Sequence, residues 1–214
     1  MHPSWLSNAF LVWREPGREA LFVDSGAPLE PLLAIVERER LTPTHLLVTH
    51  GHSDHVAGND ELVRRFELEV TTGAVETGDL SAAVLATPGH SDDGVSFVLD
   101  DACFTGDTLF RDSVGGGLAS DLRTSVMDVL MTLPHETRVY PGHTEETTIG
   151  REWEENPFVR YWRGVDPEDG RTCRVAGDEA TIVVWSPDYD GKGKTLVRFA
   201  DGAEAIVGAS RIEL

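Results

Sequence analysis

Four ionisable side chains lie within six residues in the segment His50–His55. His50 and His52 are two residues apart, so both imidazoles face the same way if this segment is extended. Asp54 and His55 follow as the chain turns, and we expect them to face a neighbouring point from another direction. Imidazole nitrogens and carboxylate oxygens are typical ligands of divalent cations such as Zn²⁺. The segment therefore predicts a metal centre with donors for more than one ion.

Three further candidate ligands each follow a predicted strand. They are His90, Asp107 and His143. Each comes directly after a glycine, which lets the backbone turn sharply without a Cβ clash. Because the set contains nitrogen and oxygen donors but no thiolate, it suits Zn²⁺, and also Fe²⁺ or Mn²⁺. His2, His45 and His135 lie outside these patterns.

The predicted secondary structure places these candidates at strand ends. Short apolar runs on either side of Pro16-Gly17 predict a β-hairpin, and apolar residues at helical spacing predict a helix over 29–40. A buried strand at 45–49 leads into the histidine segment, and Asn59 is predicted to cap the next helix. Strands then follow at 68–71, 84–87, 95–99, 102–105 and 138–140, with a helix at 121–132. This order predicts an α+β fold in which two sheets are covered by helices.

The composition changes after residue 164. Residues 165–214 show no helical periodicity and contain three apolar runs separated by turn-rich segments. We predict a main domain over residues 1–164 and a small β-barrel-like module over residues 165–214. Three roles stay open for this module: shaping entry to the metal centre, mediating homodimerisation, or covering an apolar face of the main domain.

Charge and cysteine content narrow the classes of function. The formal net charge is −19, and so acidic a surface repels phosphate backbones and anionic lipid. We therefore expect a small-molecule substrate and neither a nucleic-acid nor a membrane partner. The sequence shows no signal peptide and no apolar run near the length of about 18 residues that a membrane span needs. Two cysteines are too few for a disulfide framework, so a cytoplasmic location is expected, with Cys103 in the core.

The sequence resembles the metallo-β-lactamase superfamily and, within it, the glyoxalase II-like (hydroxyacylglutathione hydrolase-like) branch. The likeness covers residues 7–164, and the last of its motifs, together with the one that contains Asp107, points to the branch. The motifs are Thr49-His50-Gly51-His52-Ser53-Asp54-His55, Thr87-Pro88-Gly89-His90, Gly106-Asp107-Thr108-Leu109-Phe110, Pro141-Gly142-His143-Thr144 and Glu155-Asn156-Pro157-Phe158.

This resemblance implies an αββα sandwich with two metal ions, most commonly Zn²⁺, at one edge of the sheets. Seven side chains would be the ligands. They are His50, His52 and His90 for the first ion, Asp54, His55 and His143 for the second, and Asp107 as a bridge between the two.

The activity that this resemblance implies is metal-dependent hydrolysis. A metal-bridging hydroxide would attack a thioester, ester or lactone, and Asp54 would act as the catalytic group that orients the hydroxide or accepts its proton. One alternative is a persulfide dioxygenase with a single iron at the positions of His50, His90 and Asp107. Cleavage of β-lactams or phosphodiesters stays open on fold analogy alone, as does a metal-dependent scaffold without enzymatic activity.

Two features depart from glyoxalase II itself. Its helical C-terminal domain, which helps to hold glutathione, is replaced here by the β-rich residues 165–214. The segment Val114–Asp121 lacks the arginine that many relatives carry after the bridging aspartate. Arg111 is expected either to meet a substrate carboxylate or to face solvent in a structural role. These departures leave the substrate open and touch none of the ligand positions.

Overall fold

The first sheet carries the hairpin and the strand that leads into the histidine segment. The structure is a computed structural model that describes residues 5–189 and 191–214. Strands β1 and β2 pair antiparallel as predicted, whereas β3 pairs in parallel with both β2 and β4. The elements of this part are β1 (Phe10–Trp13), β2 (Glu19–Val23), α1 (Glu30–Glu39), β3 (Thr42–Leu47), α2 (Ser53–Val56), α3 (Asn59–Phe66) and β4 (Glu69–Thr71).

In this part of the chain, the predicted start of one strand and the predicted cap of one helix differ from the structure. Strand β3 begins before the predicted range 45–49, because Thr42 already pairs with Glu19 of β2. The predicted cap Asn59 is instead the first residue of α3, and Gly58 holds the cap position without a side-chain bond. The Oδ1 atom of Asn59 accepts a hydrogen bond of 2.6 Å from the hydroxyl of Ser25. That contact draws the Asn59 side chain away from the backbone N–H groups of the helix.

The second sheet has the order β13-β12-β8-β7-β6-β5. Strands β8 and β12 run parallel, and the remaining neighbours are antiparallel. Strands β9 and β10 form a separate small hairpin. The elements are β5 (Val75–Thr77), β6 (Leu80–Ala86), β7 (Val95–Leu99), β8 (Ala102–Gly106), β9 (Leu109–Phe110), β10 (Ser113–Val114), β11 (Gly117–Leu118), β12 (Arg138–Pro141) and β13 (Thr147–Thr148).

The predicted helix at 121–132 is helical but not uniformly α. It starts as α4 (Ala119–Thr124), widens into a π-helical turn (Ser125–Val129) and ends as a 3₁₀ turn (Leu130–Thr132). In the widened turn, the buried Ser125 donates a 2.7 Å hydrogen bond to the carbonyl of Pro88. We attribute the changed winding to this tertiary contact, which apolar periodicity does not reveal.

Two further helices lie after β13. They are α5 (Ile149–Glu155) and α6 (Pro157–Trp162). The fully buried Asn156 caps α6, since its Oδ1 accepts hydrogen bonds from the N–H groups of Phe158 and Val159. The Asn156 motif therefore anchors the helix.

The layer order is helix, sheet, sheet, helix, which confirms the predicted αββα sandwich. Alternate residues of β2 show the arrangement, because successive side chains of a strand face opposite sides. Ala20 and Phe22 pack against the helical side, and Leu21 and Val23 pack between the two sheets. Cys103 is fully buried in the core, and burial raises the pKa of its thiol to about 12, so it is no nucleophile.

The C-terminal residues form an antiparallel sheet that also takes in β11 of the preceding part. Its order is β11-β17-β16-β15-β14-β18, so the ladder has edges at β11 and β18 rather than closing on itself. Val183, Leu196 and Ile206 of this sheet pack into the core cluster that surrounds α4 and α6. The predicted division between residues 164 and 165 stays a prediction. The strands are β14 (Thr172–Val175), β15 (Asp178–Ser186), β16 (Lys194–Phe199), β17 (Glu204–Gly208) and β18 (Ile212–Glu213), with a 3₁₀ turn at Ala209–Arg211.

No helix within the described ranges has the length and apolar character needed to cross a bilayer.

Candidate metal centre

The seven ligand candidates converge at one edge of the two sheets. His50 follows β3, His90 follows β6, Asp107 follows β8 and His143 follows β12. Strands β8 and β12 are parallel, and β6 has the same direction as β8 because each is antiparallel to β7. Their carboxyl ends therefore meet at one edge of the second sheet. The end of β3 in the first sheet lies across from that edge, so that His50 comes close to His90 and Asp107. The short helix α2 begins directly after His52 and carries the remaining two candidates.

Three imidazoles form the first group. The Nδ1 atom of His52 lies 3.1 Å from Nε2 of His50 and 3.0 Å from Nε2 of His90. One nitrogen cannot donate a proton to both neighbours, so hydrogen bonding alone leaves this trio incompletely paired. Nitrogens that share one tetrahedral Zn²⁺ lie roughly 3.3 Å apart, given Zn–N bonds of about 2.0–2.1 Å. The spacing of the trio therefore fits a shared cation.

The outer nitrogens of two of these rings are held by hydrogen bonds. Nδ1 of His90 donates to the carbonyl of Gly116 at 2.8 Å. Nδ1 of His50 lies 3.1 Å from the hydroxyl of Thr49, which gives its own proton to Asp24 and can therefore accept one. Both contacts keep the ring proton on Nδ1 and leave the Nε2 lone pairs facing the centre.

The second group consists of Asp54, His55 and His143. Oδ2 of Asp54 lies 3.8 Å from Nε2 of His55 and 3.4 Å from Nε2 of His143. Both imidazoles are buried, whereas the Asp54 side chain is 27% exposed. The group thus presents one solvent-accessible carboxylate and two buried nitrogens.

Asp107 lies between the two groups. Its Oδ2 is 3.4 Å from Nε2 of His90 in the first group and 3.3 Å from Nε2 of His143 in the second. Its Oδ1 lies 3.3 Å from Nε2 of His55. A single carboxylate in contact with both groups is placed as a bridging ligand would be.

Asp24 is the site residue that sequence reasoning missed. It is 1% exposed and accepts hydrogen bonds from the backbone N–H and the hydroxyl of Thr49. Its Oδ2 lies 2.8 Å from Nδ1 of His55, so it orients that ring with Nε2 towards the centre. The available signal was its position directly after β2, the same placement that marked the other candidates.

Burial and the neighbouring charges shift the pKa values of the centre in opposite directions. Burial, reinforced by His55, lowers the pKa of His50 to about 3. Burial also acts to lower the pKa of His55, but Asp107 and Asp24 outweigh it and raise that pKa to about 10. Burial opposes ionisation of Asp107, yet His143 and His55 hold its pKa well below the usual range. Asp107 is thus ionised and His50 neutral, as metal ligands require, whereas His55 carries a proton that a bound cation would displace.

Buried polar atoms without partners give an independent test of whether cations fit. Among the described residues, Nε2 of His55 and Oδ1 of Asp107 have no hydrogen-bond partner although both are buried. Their 3.3 Å contact therefore lacks hydrogen-bond geometry. Unsatisfied buried polar atoms are costly, and a divalent cation would satisfy both. The donor set thus fits divalent metal.

Gly142 is required for this close packing. A Cβ atom at this position would lie 2.3 Å from Oδ1 of Asp107 and 2.6 Å from Cε1 of His55. Only a residue without a side chain lets the loop before His143 approach the centre so closely.

The two other described histidines, His45 and His135, take no part in the site. His45 contacts Thr44 and Glu69, and His135 lies against Trp153. His2 lies outside the described residues.

Comparison with known sequences identifies the same family. The family described as "Metallo-beta-lactamase superfamily" matches residues 3–74. A hydroxyacylglutathione hydrolase of Rhodopseudomonas palustris (strain BisA53) is 34% identical over 208 residues, which cover 84% of this chain and 77% of that protein.

Solved structures that resemble this chain point to the same superfamily as the sequence matches. ETHE1 from Myxococcus xanthus is 33% identical with a TM-score of 0.66, over 79% of this chain and 91% of that one. The BLEG-1 B3 metallo-β-lactamase is 29% identical with a TM-score of 0.67, over 72% and 94%. TTHA1623, solved in a di-iron-bound form, is 33% identical with a TM-score of 0.60, over 71% and 94%. From its sandwich, its His/Asp centre and these matches, the chain belongs to the metallo-β-lactamase superfamily.

Proposed function

We propose that the protein is a dinuclear metal hydrolase that cleaves a thioester, or a related ester or lactone, of a small molecule. The placement of Asp107 carries the proposal, because its carboxylate contacts imidazoles of both groups at 3.3–3.4 Å. His50, His52 and His90 would hold one ion, and a second set of three would hold the other. That second set is Asp54, His55 and His143.

The chemistry divides between the cofactor and the chain. Two bound divalent ions would lower the pKa of water and polarise the substrate carbonyl. Of the two carboxylates in the centre, Asp54 is 27% exposed and Asp107 only 7%. Asp54 is therefore the one that can reach an incoming nucleophile and accept its proton, whereas Asp107 serves as ligand alone.

A cleft beside the centre offers room for the substrate. It has a volume of about 320 Å³ and is lined by Arg111, Thr144, Glu145 and residues 187–189. Arg111 donates a 3.0 Å hydrogen bond to Glu145 and is 38% exposed, so it can turn towards a substrate carboxylate. Neither this cleft nor a larger one of about 690 Å³ near α6 and the C-terminal sheet is lined by a ligand candidate. The smaller one, however, is lined by Thr144, which follows His143, and by Tyr189, whose ring stacks on His143. We therefore place the substrate in the smaller one.

The thioester assignment is supported by the 34% identical hydroxyacylglutathione hydrolase. Its test pairs metal content, measured on protein purified without added metal, with two activity assays. Two equivalents of zinc together with thiol release from a lactoyl thioester would support the hydrolase. One equivalent of iron with oxygen uptake on a persulfide would overturn it.

That second outcome corresponds to the other candidate function, a persulfide dioxygenase. His50, His90 and Asp107 would hold its single iron, and Nε2 of His90 lies 3.4 Å from Oδ2 of Asp107. The 33% identical di-iron-bound TTHA1623 favours iron as a metal for this donor set. Hydrolysis ranks first on the 34% identity with the hydroxyacylglutathione hydrolase over 84% of this chain.

Zn²⁺ is expected to stabilise the fold against heat. A ligand that binds only the folded state at about 100 times its Kd adds about 2.7 kcal/mol per site. In a protein of this size that corresponds to roughly 5–10 °C in Tm. Differential scanning calorimetry of chelator-treated protein with and without Zn²⁺ measures the shift. Mg²⁺, which prefers oxygen ligands, is the control and should have little effect. An unchanged Tm with Zn²⁺ would contradict the proposed centre.

A further inference from the structure

The second group contains one imidazole whose outer nitrogen lacks a hydrogen bond. The outer nitrogens of His50, His55 and His90 contact Thr49, Asp24 and Gly116 respectively. Nδ1 of His143 is buried and has no hydrogen-bond partner among the described residues. Metal-binding histidines are normally oriented by a bond at that nitrogen, so something else must hold this ring.

An aromatic side chain of the C-terminal residues lies on this ring. Tyr189 stacks on His143 with the ring centroids 4.1 Å apart and an angle of 6° between the planes. Phe110 meets both rings edge-on, at 5.8 Å from His143 and 5.9 Å from Tyr189. The imidazole is thus held by aromatic contacts on its face and at its edge.

We propose that Tyr189 is a positioning residue for His143, and that the C-terminal sheet is thereby part of the second metal site. The proposal rests on the assignment of His143 as a metal ligand. An imidazole bound to a cation is electron-poor, and the face of a phenol ring carries negative charge. The parallel stack is therefore strengthened when His143 binds metal, which couples the position of Tyr189 to occupancy of that site.

A buried ion pair anchors Tyr189 to the C-terminal sheet. Nζ of Lys194, at the start of β16, lies 2.9 Å from Oδ2 of Asp188, and the two side chains are 10% and 4% exposed. The same ammonium lies 5.7 Å from the centre of the Tyr189 ring. Asp188 immediately precedes Tyr189, so the pair fixes the loop at the position where the stack forms.

The backbone of the His143 loop has a separate anchor. Nδ2 of Asn8 donates hydrogen bonds of 2.9 Å to the carbonyls of Pro141 and Thr144. Its backbone N–H also donates to the carbonyl of Gly142 at 2.7 Å. Loss of Tyr189 should therefore free the imidazole ring without moving the loop, and this separates positioning from folding.

The test is a titration of the chelator-treated full chain with Zn²⁺, followed by calorimetry. Wild type is expected to bind two equivalents. Tyr189→Leu should leave the first equivalent unchanged and weaken the second by about tenfold or more, within the usual range for residues that orient a metal ligand. Tyr189→Phe keeps the stacked ring and should bind as wild type does.

Phe199→Ala is the matched control, since it removes an aromatic ring from the opposite end of β16, where Phe199 packs into another cluster. Far-UV circular dichroism and Tm of the metal-free variants report on folding. Wild-type affinity for the second equivalent in Tyr189→Leu would overturn the inference, as would an equal loss in Tyr189→Phe. If wild type itself binds no Zn²⁺, the proposed function fails instead.

Discussion

Asp107→Ala is expected to release metal from both halves of the centre and to lower kcat/KM by at least about a thousandfold, equivalent to about 4 kcal/mol. The physical reason is its position. Its carboxylate lies 3.3–3.4 Å from His55, His90 and His143, which belong to both groups. Without it, neither group retains a buried anionic ligand, since Asp54 is partly exposed.

Metal content after gel filtration, measured by mass spectrometry, checks this expectation directly. Asp107→Asn serves as a second variant, because it keeps the volume of the buried side chain. Asp101→Asn is the control, because Asp101 is an exposed aspartate that pairs with Arg138 rather than with the centre. Retention of two metal equivalents in Asp107→Ala would refute the bridging assignment.

The second large effect is expected for Asp24→Asn, although Asp24 lies outside the seven ligand candidates. The Asp24 carboxylate accepts the Nδ1 proton of His55 at 2.8 Å. An amide NH₂ at that position would donate instead, which favours the tautomer with its proton on Nε2, the atom that faces the centre. We expect metal affinity at the second site to fall about 10- to 100-fold while the fold persists.

Zn²⁺ titration measures the affinity, and Asp24→Ala supplies the contrast. The alanine variant also leaves the Thr49 N–H without its acceptor, so it should additionally lose about 1–3 kcal/mol of stability in denaturant unfolding. Asp100→Asn is the matched control, because Asp100 shares the left-handed backbone of Asp24 (φ 53° and 54°) but pairs with Arg14 at the surface. Unchanged affinity in Asp24→Asn would show that His55 is oriented by other contacts.

Much of the fold was predictable because its signals are local. The apolar run in β2 and the helical spacing in α1 can each be recognised from one short segment. The winding of residues 119–132 was not predictable, since it depends on a contact between Ser125 and Pro88, 37 residues away. The prediction that Asn59 caps a helix was wrong for the same reason, because its side chain accepts a hydrogen bond from the hydroxyl of Ser25, 34 residues away.

The seven ligand candidates were recognisable from residue type and from position at strand ends, and the structure brings all seven together. The residues that orient these candidates were not recognisable from the sequence. Asp24 is one of many aspartates in an acidic chain, and nothing in its sequence neighbourhood points to His55. Gly116 acts through a backbone carbonyl, which every residue has.

The amino-acid sequence by itself determined which side chains can bind metal, because donor chemistry is a property of the residues themselves. Their meeting at one edge of the sheets was implied by the resemblance to the superfamily. The tertiary structure decided how each candidate ligand is held. Tyr189 reaches His143 from a part of the chain with no ligand motif of its own, through packing of the C-terminal sheet. Such contacts depend on how distant segments pack, and no local pattern encodes that.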